Sequence, residues 1–263
     1  MNGLSSVTSN YYSNNYYVLQ NNNVLHKQRF EPENDTVKTV AAAGLLQAFA
    51  MFLQKASQWC EGKLMQGKEF TTAENIKQTV EKMVNDNNLN VKVDYIDQSN
   101  IKNYPPNMIE MLKPVARGEN AFYADSLKLA VAPKNKPSLI LHELGHAINA
   151  GKGKFMRALQ KSRGYVSAVP TALLLVNGLF ARNDDKPNFI EKHAGKIGFL
   201  AFLPTIIEEG TASLRGLKYA KKIKGVNLAP LKRNYFFAWM TYVIAGISLG
   251  VAAKQSLLEQ KKS

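Results

Sequence analysis

Residues 142 to 146 read His-Glu-Leu-Gly-His. Two imidazoles four apart on a helix stand one turn above the other on the same face, so His142 and His146 can grip a single ion. A catalytic zinc takes nitrogen and oxygen ligands at about 2.0–2.2 Å and keeps one position for water. Glu143, beside the first histidine, is placed to take a proton from that water as general base. The competing interpretation is a core helix whose two histidines are merely packed. Three features weigh against it: two of the chain's four histidines fall in this stretch, Gly145 leaves room for a neighbouring backbone, and Leu139, Ile140 and Leu141 supply a face to bury.

A third protein ligand has to come from a later helix. Cys60 is the only cysteine, so neither an intramolecular disulfide nor a cysteine-rich zinc set is available and a metal must use histidine and carboxylate. The segment 206–221 offers Glu208 and Glu209 directly after an apolar stretch. Two carboxylates there are costly to leave without a cation. Either can serve.

With HELGH at 142–146 and Glu209, Ala212 and Ser213 spaced as Glu-x-x-Ala-Ser, the chain resembles the membrane-bound zinc metallopeptidases of the gluzincin type, bacterial neutral zinc metallopeptidases among them. In these, HExxH is followed by hydrophobic helices and then by Glu-x-x-Ala-Ser or Glu-x-x-Ala-Asp on another helix. The resemblance covers roughly residues 70 to 220. It implies a zincin-like core, zinc held by His142, His146 and Glu209 with Glu208 in reserve, and hydrolysis of a peptide or protein substrate with Glu143 as base. It also implies that a strand over 126–132 is the edge along which an extended peptide lies. Ser213 stands where many relatives carry Asp, and the spacing from Leu203 and Pro204 to Glu209 is longer than in some. Tyr219, Tyr123 and His193 are candidates for stabilising an oxyanion, each with a structural role as its alternative, and none is assigned.

The elements that must position these residues are legible in part. The alternation in 90–96 and the stretch 126–132 predict strands, the latter followed by the turn Pro133 to Pro137 and then the motif helix, with Ser138 as its N-cap and Gly151 as its stop. Thr71 followed by Glu74 predicts a capping box for a helix with Ile76, Val80 and Met83 on one stripe. A helix is expected from Thr39 to about Gly62 and a short one over 106–112, ended by Pro114. Residues 1–37, rich in Asn, Ser and Tyr, are expected to be a disordered tail that includes His26, with no secretory signal at its start. The fold class is mainly α with a small β-sheet, α+β, with residues 38–263 forming one metallopeptidase-like domain around a hydrophobic helical hairpin and a C-terminal hydrophobic helix.

Net charge is +14 and 45% of residues are hydrophobic. The basic residues lack the aromatic interleaving and recognisable module of a nucleic-acid binder, so no nucleic-acid partner is expected. They bracket apolar segments instead. Runs near 165–181, 196–207 and 235–253 are candidates to enter a bilayer, the last with aromatic residues at its start. Basic stretches at 151–164 and 214–234 contain no acid. If the first two runs form a hairpin, both stretches fall on one side, the cytosol by the positive-inside tendency, and Glu209 returns to the side of His142 and His146. The expectation is an integral membrane, zinc-dependent peptidase with membrane lipid as a second partner. The alternatives are a non-catalytic membrane protein with a structural metal site that binds anionic lipid or a protein, and a soluble metalloprotein whose apolar segments are core helices.

Overall fold

The computed structural model describes residues 34–179 and 188–260. In chain order these form α1 (Asn34–Met65), α2 (Ala73–Asp86), β1 (Lys92–Ile96), α3 (Pro106–Ala116), β2 (Phe122–Ala124), β3 (Leu129–Pro133), α4 (Ile140–Gly151), α5 (Lys154–Ser162), α6 (Val169–Leu179), α7 (Phe189–Ala220) and α8 (Ala229–Gln260), with short 3-10 turns between some of them. Helices dominate and one three-stranded sheet accompanies them, as the sequence predicts.

The sheet runs in the order β1, β3, β2. β1 lies parallel to β3 with Val93 opposite Ala130, and β2 lies antiparallel to β3 with Tyr123 opposite Ala130. β3, expected to be the free edge, is therefore the central strand, and every one of its residues is buried. Its small and branched side chains fill both faces of the sheet, which leaves β1 and β2 as the edges. The expected strand also begins late: Asp125–Leu127 form a 3-10 turn, ended by Lys128 in a left-handed conformation, φ 47°. β2, only three residues long, is not foreseen from the sequence.

α2 behaves as its stripe predicts, with Ile76, Val80 and Met83 buried, but its cap is Thr72, whose side chain accepts from the Asn75 amide, rather than Thr71. Thr71 accepts instead from the Asn75 side chain. α3 passes through Pro114 and ends at Ala116; one missing N–H close to a helix end removes a single bond, which the turn tolerates. Ser138 is not the cap of α4. It lies in a 3-10 turn and donates to Glu69 Oε1 at 2.9 Å. α1 starts at Asn34, inside the expected tail; residues 1–33, with His26, lie outside the described residues.

The sheet, α2 and α4 share a core of Ile76, Met83, Ala130, Ala132, Ile140, Leu141, Leu144 and Ile148, and Tyr219, Ala220, Leu231 and Tyr235 from α7 and α8 complete it. Those two helices form an antiparallel pair. A Cβ on Gly198 would meet Gly250 at 3.0 Å, and one on Gly246 would meet Phe202, so glycines let the two backbones approach. α1 packs against α8 through Leu53, Cys60, Ile244 and Val251.

α7 and α8 are the two helices long and apolar enough to cross a membrane among the described residues. They contain the second and third apolar runs of the sequence. α6, inside the first apolar run, is described from Val169 to Leu179, where the described residues stop. The run 196–207 is the middle of a single 32-residue helix that continues through Glu208 and Glu209.

Candidate metal centre

α4 and α7 cross closely because both carry glycine at the contact. A Cβ on Gly145 would overlap the Ala212 carbonyl, and one on Gly216 would lie 2.8 Å from the Leu141 carbonyl oxygen. This closeness brings the motif histidines onto the glutamates of α7.

His142 Nδ1 lies 3.0 Å from Ser213 Oγ, and His146 Nδ1 lies 2.7 Å from Glu208 Oε1. An ionised carboxylate only accepts, so His146 carries its proton on Nδ1 and turns Nε2 inward. A serine hydroxyl can accept from His142 Nδ1 and so do the same for the second ring. The two Nε2 atoms are 3.0 Å apart, and Glu209 Oε2 is 3.1 Å from His142 Nε2 and 3.6 Å from His146 Nε2. Ligands held tetrahedrally at about 2.1 Å from one ion lie ~3.4 Å from each other. The observed separations bracket that value, and His142, His146 and Glu209 can hold a metal ion.

The two glutamates are chain neighbours with different surroundings, both essentially inaccessible to solvent. Glu208 accepts from His146, from Asn149 Nδ2 at 3.1 Å, from Gln160 Nε2 at 3.1 Å and from Arg163 Nη1 at 2.8 Å. Its oxygens are spent. Glu209 Oε1 is 2.5 Å from Arg163 Nη2, yet the approach is not along a hydrogen-bond direction, and the buried oxygen has no hydrogen-bond partner among the described residues. Oε2, the oxygen of Glu209 that lies beside the two ring nitrogens, is the one a cation would take. The sequence left the choice between the two open, and the geometry favours Glu209.

Glu143 is buried beside the cluster, and its carboxyl makes no hydrogen bond among the described residues. Burial pushes it above the ordinary carboxyl range, and the neighbouring His142 and His146 pull it partly back. A carboxylate with its lone pairs unengaged is free to accept a proton. Burial works to lower His146, but Glu208 and then Glu209 override it and hold the ring well above its ordinary value. In the metal-free site the proton on this ring balances part of the glutamate charge.

None of the three oxyanion candidates reaches the cluster. Tyr219 accepts from Asn87 Nδ2 at 2.7 Å and so ties α2 to α7. Tyr123 donates to Asp125 Oδ1 at 2.7 Å near the sheet edge, and His193 packs on Phe189 at the far end of α7. The groups that do surround the cluster were not singled out from the sequence: Asn149, Gln160, Arg163 and Tyr235. Tyr235 lies with its ring 5.7 Å from that of His142, and its buried hydroxyl has no hydrogen-bond partner among the described residues. Asn149 alone carried a readable signal, seven residues after His142 and thus on the same helix face. Arg163 and Tyr235 come from segments that only tertiary packing brings near.

The chain matches no protein-family model, no curated protein and no solved structure.

Proposed function

We propose that this chain is a membrane-associated, zinc-dependent peptidase. The observation that carries the proposal is the convergence of two Nε2 atoms and Glu209 Oε2 to within 3.6 Å of one another, with Glu143 buried alongside and without a hydrogen bond among the described residues. Two imidazoles and one carboxylate suit zinc, and a fourth position left to water suits a catalytic site. A zinc ion held by His142, His146 and Glu209 would act as a Lewis acid, acidifying bound water and polarising a substrate carbonyl.

The rest is the work of this chain's residues. Glu143 accepts the water's proton and returns it to the departing amine, a role for which a carboxyl raised by burial is suited. Glu208 and Ser213 fix the tautomers and orientations of the two rings. Arg163, bridging Glu208 and Glu209, holds the carboxylates in register. The HExxH and Glu-x-x-Ala-Ser pair makes the gluzincin-type membrane peptidases the family we assign.

The basic stretches support an orientation. Arg157 and Lys161 line one groove with Asn87, and Lys222 pairs with neighbouring Asp86 at 3.4 Å, so both stretches lie at the end of the molecule that holds the cluster. By the positive-inside tendency that end faces the cytosol.

The test is purified protein assayed on a mixed-sequence peptide library, with and without chelator, together with metal analysis. Wild type is expected to cleave and to bind about one zinc per chain, and Glu143→Gln to keep the zinc while losing at least ~100-fold in rate. Zinc retained by a wild type that cleaves nothing would establish the rival reading, a structural metal in a non-catalytic membrane protein.

A further inference from the structure

The apolar pair α7 and α8 carries its own depth scale. Between Lys196 and Arg215, α7 has no charged residue except Glu208 and Glu209, and between Arg233 and Lys254, α8 has none. Lys254 Nζ donates to the Glu191 carbonyl at 2.7 Å, which sets Lys254 beside the start of α7. At the other end Gly216 packs on Tyr235, which sets Arg215 near the level of Arg233. The two collars are ~28 Å apart along α7 and ~32 Å along α8, close to the thickness of a bilayer's hydrocarbon core.

The faces between the collars fit lipid. Among residues 234–253 of α8, Phe236 alone is exposed and the others are buried or half-buried; α1, which packs on α8, leaves Leu45, Phe49, Met51 and Phe52 exposed. On α7, Leu200, Ile207 and Leu214 recur every seven residues and are all exposed, Leu214 at 66%. This stripe runs past the level of Glu208 and Glu209.

Aromatic residues mark that level independently. Trp239 Nε1 donates to the Ile206 carbonyl at 3.1 Å and lies against Gly210. Trp59, 58% exposed, meets Phe237 edge-on at 5.2 Å, and Phe236 and Tyr165 are exposed nearby in sequence to Tyr235 and Arg163. Tryptophan and tyrosine concentrate at the boundary between hydrocarbon and water. α5 adds Phe155, exposed, among Lys154, Arg157 and Lys161, the mix of an interfacial helix. Glu209 stands ~9 Å inside the Arg215 collar.

We propose that the metal cluster lies at the boundary between the bilayer's hydrocarbon and water, and that its substrates are the juxtamembrane stretches of membrane-anchored polypeptides. The substrate half of this inference rests on the peptidase reading; the location half does not. A soluble chain would have to leave water to reach the cluster, whereas a segment emerging from the membrane arrives at the right depth, held at a raised effective concentration.

Two measurements on full-length protein in mixed phosphatidylcholine and phosphatidylglycerol vesicles test the halves separately. Nitroxide is placed by Leu200→Cys, Leu214→Cys and Lys222→Cys, each in a Cys60→Ala background. Collision with a water-soluble nickel chelate is expected to be at least ~10-fold weaker at 200 than at 222, with 214 between them, given how poorly polar solutes enter hydrocarbon. Equal accessibility at all three overturns the location. Second, a mixed-sequence fluorogenic library is joined to a transmembrane helix either directly or through a flexible linker of about 20 residues, which sets it back ~25 Å. Direct junctions are expected to be cut at least ~10-fold faster. Equal rates overturn the substrate class while leaving the peptidase intact. If neither form is cut, nor any free peptide, the peptidase reading fails and the substrate half fails with it, while the nitroxide result still decides the location.

Discussion

Glu208 and Glu209 are adjacent in the chain, yet one is saturated by four donors and the other keeps a buried oxygen without a hydrogen bond. The difference arises because consecutive helical side chains diverge by about 100°: Glu208 faces α5 and the outer side of His146, Glu209 the gap between the two rings. This separates a positioning group from a ligand. Glu208→Gln keeps an acceptor for His146 Nδ1 but loses the charge that makes the ring a better donor to an ion, and it should weaken metal binding by about 10–100-fold. Glu209→Gln, which removes a ligand, should weaken it further. Competition titration against a chromophoric chelator reads both, and a larger loss for Glu208→Gln would reverse the assignment. At this scale the sequence was informative where chemistry is local. That His142 and His146 share a helix face is readable from spacing, and Glu208 and Glu209 were both candidates for the position beside them that Glu209 takes. Arg163, Gln160 and Tyr235 were not readable, because nothing in their own segments marks them and only packing brings them to the glutamates.

The elements explain how such a site can be assembled from segments 67 residues apart. α4 and α7 approach to backbone contact at Gly145 and again at Gly216, and these contacts set the distance at which the rings meet Glu209. Gly145→Ala must drive the helices apart or bend one, since the methyl would strike the Ala212 carbonyl, which is backbone and cannot turn aside. The expected cost is about 1–3 kcal/mol of stability, with weaker metal retention than the same loss of stability causes elsewhere, for instance at Val80 in α2. Thermal unfolding and metal analysis on both variants decide this. Gly145 as the site of a close approach was legible, since a glycine inside an apolar helix asks for a reason. The sheet was less so. The residues of β3 form a short apolar run that reads equally well as edge or centre, and three-residue β2, which makes it central, is too brief to leave a pattern. The long apolar helix α7 was legible only in part: Glu208 and Glu209 interrupt its hydropathy without interrupting its helix, so the run 196–207 shows less than half of it.

For the molecule as a whole, the metal cluster is a joint between two differently built halves. His142 and His146 belong to α4, packed on the sheet and α2, whereas Glu209 belongs to the long apolar pair α7 and α8. The other ties across the joint are apolar contacts and a few polar ones, such as Asn87 to Tyr219. An ion held from both sides binds the native arrangement and has no equivalent site in the unfolded chain, so it stabilises the fold by mass action. Without an ion, Glu208 and Glu209 stand side by side with Arg163, His146 and, for Glu208, Arg215 as the opposing groups, a balance that burial makes costly. Free zinc at 100 times its dissociation constant should contribute about 2.7 kcal/mol, which in a chain of this size raises the melting temperature by ~5–10 °C. Glu143→Gln, which removes no ligand, should show the same rise, and His146→Ala should show little or none. A melting temperature that ignores both zinc and chelator in the wild type would mean that the three atoms do not share an ion, and the joint would then be held by Arg163 and the packing of glycine against carbonyl alone.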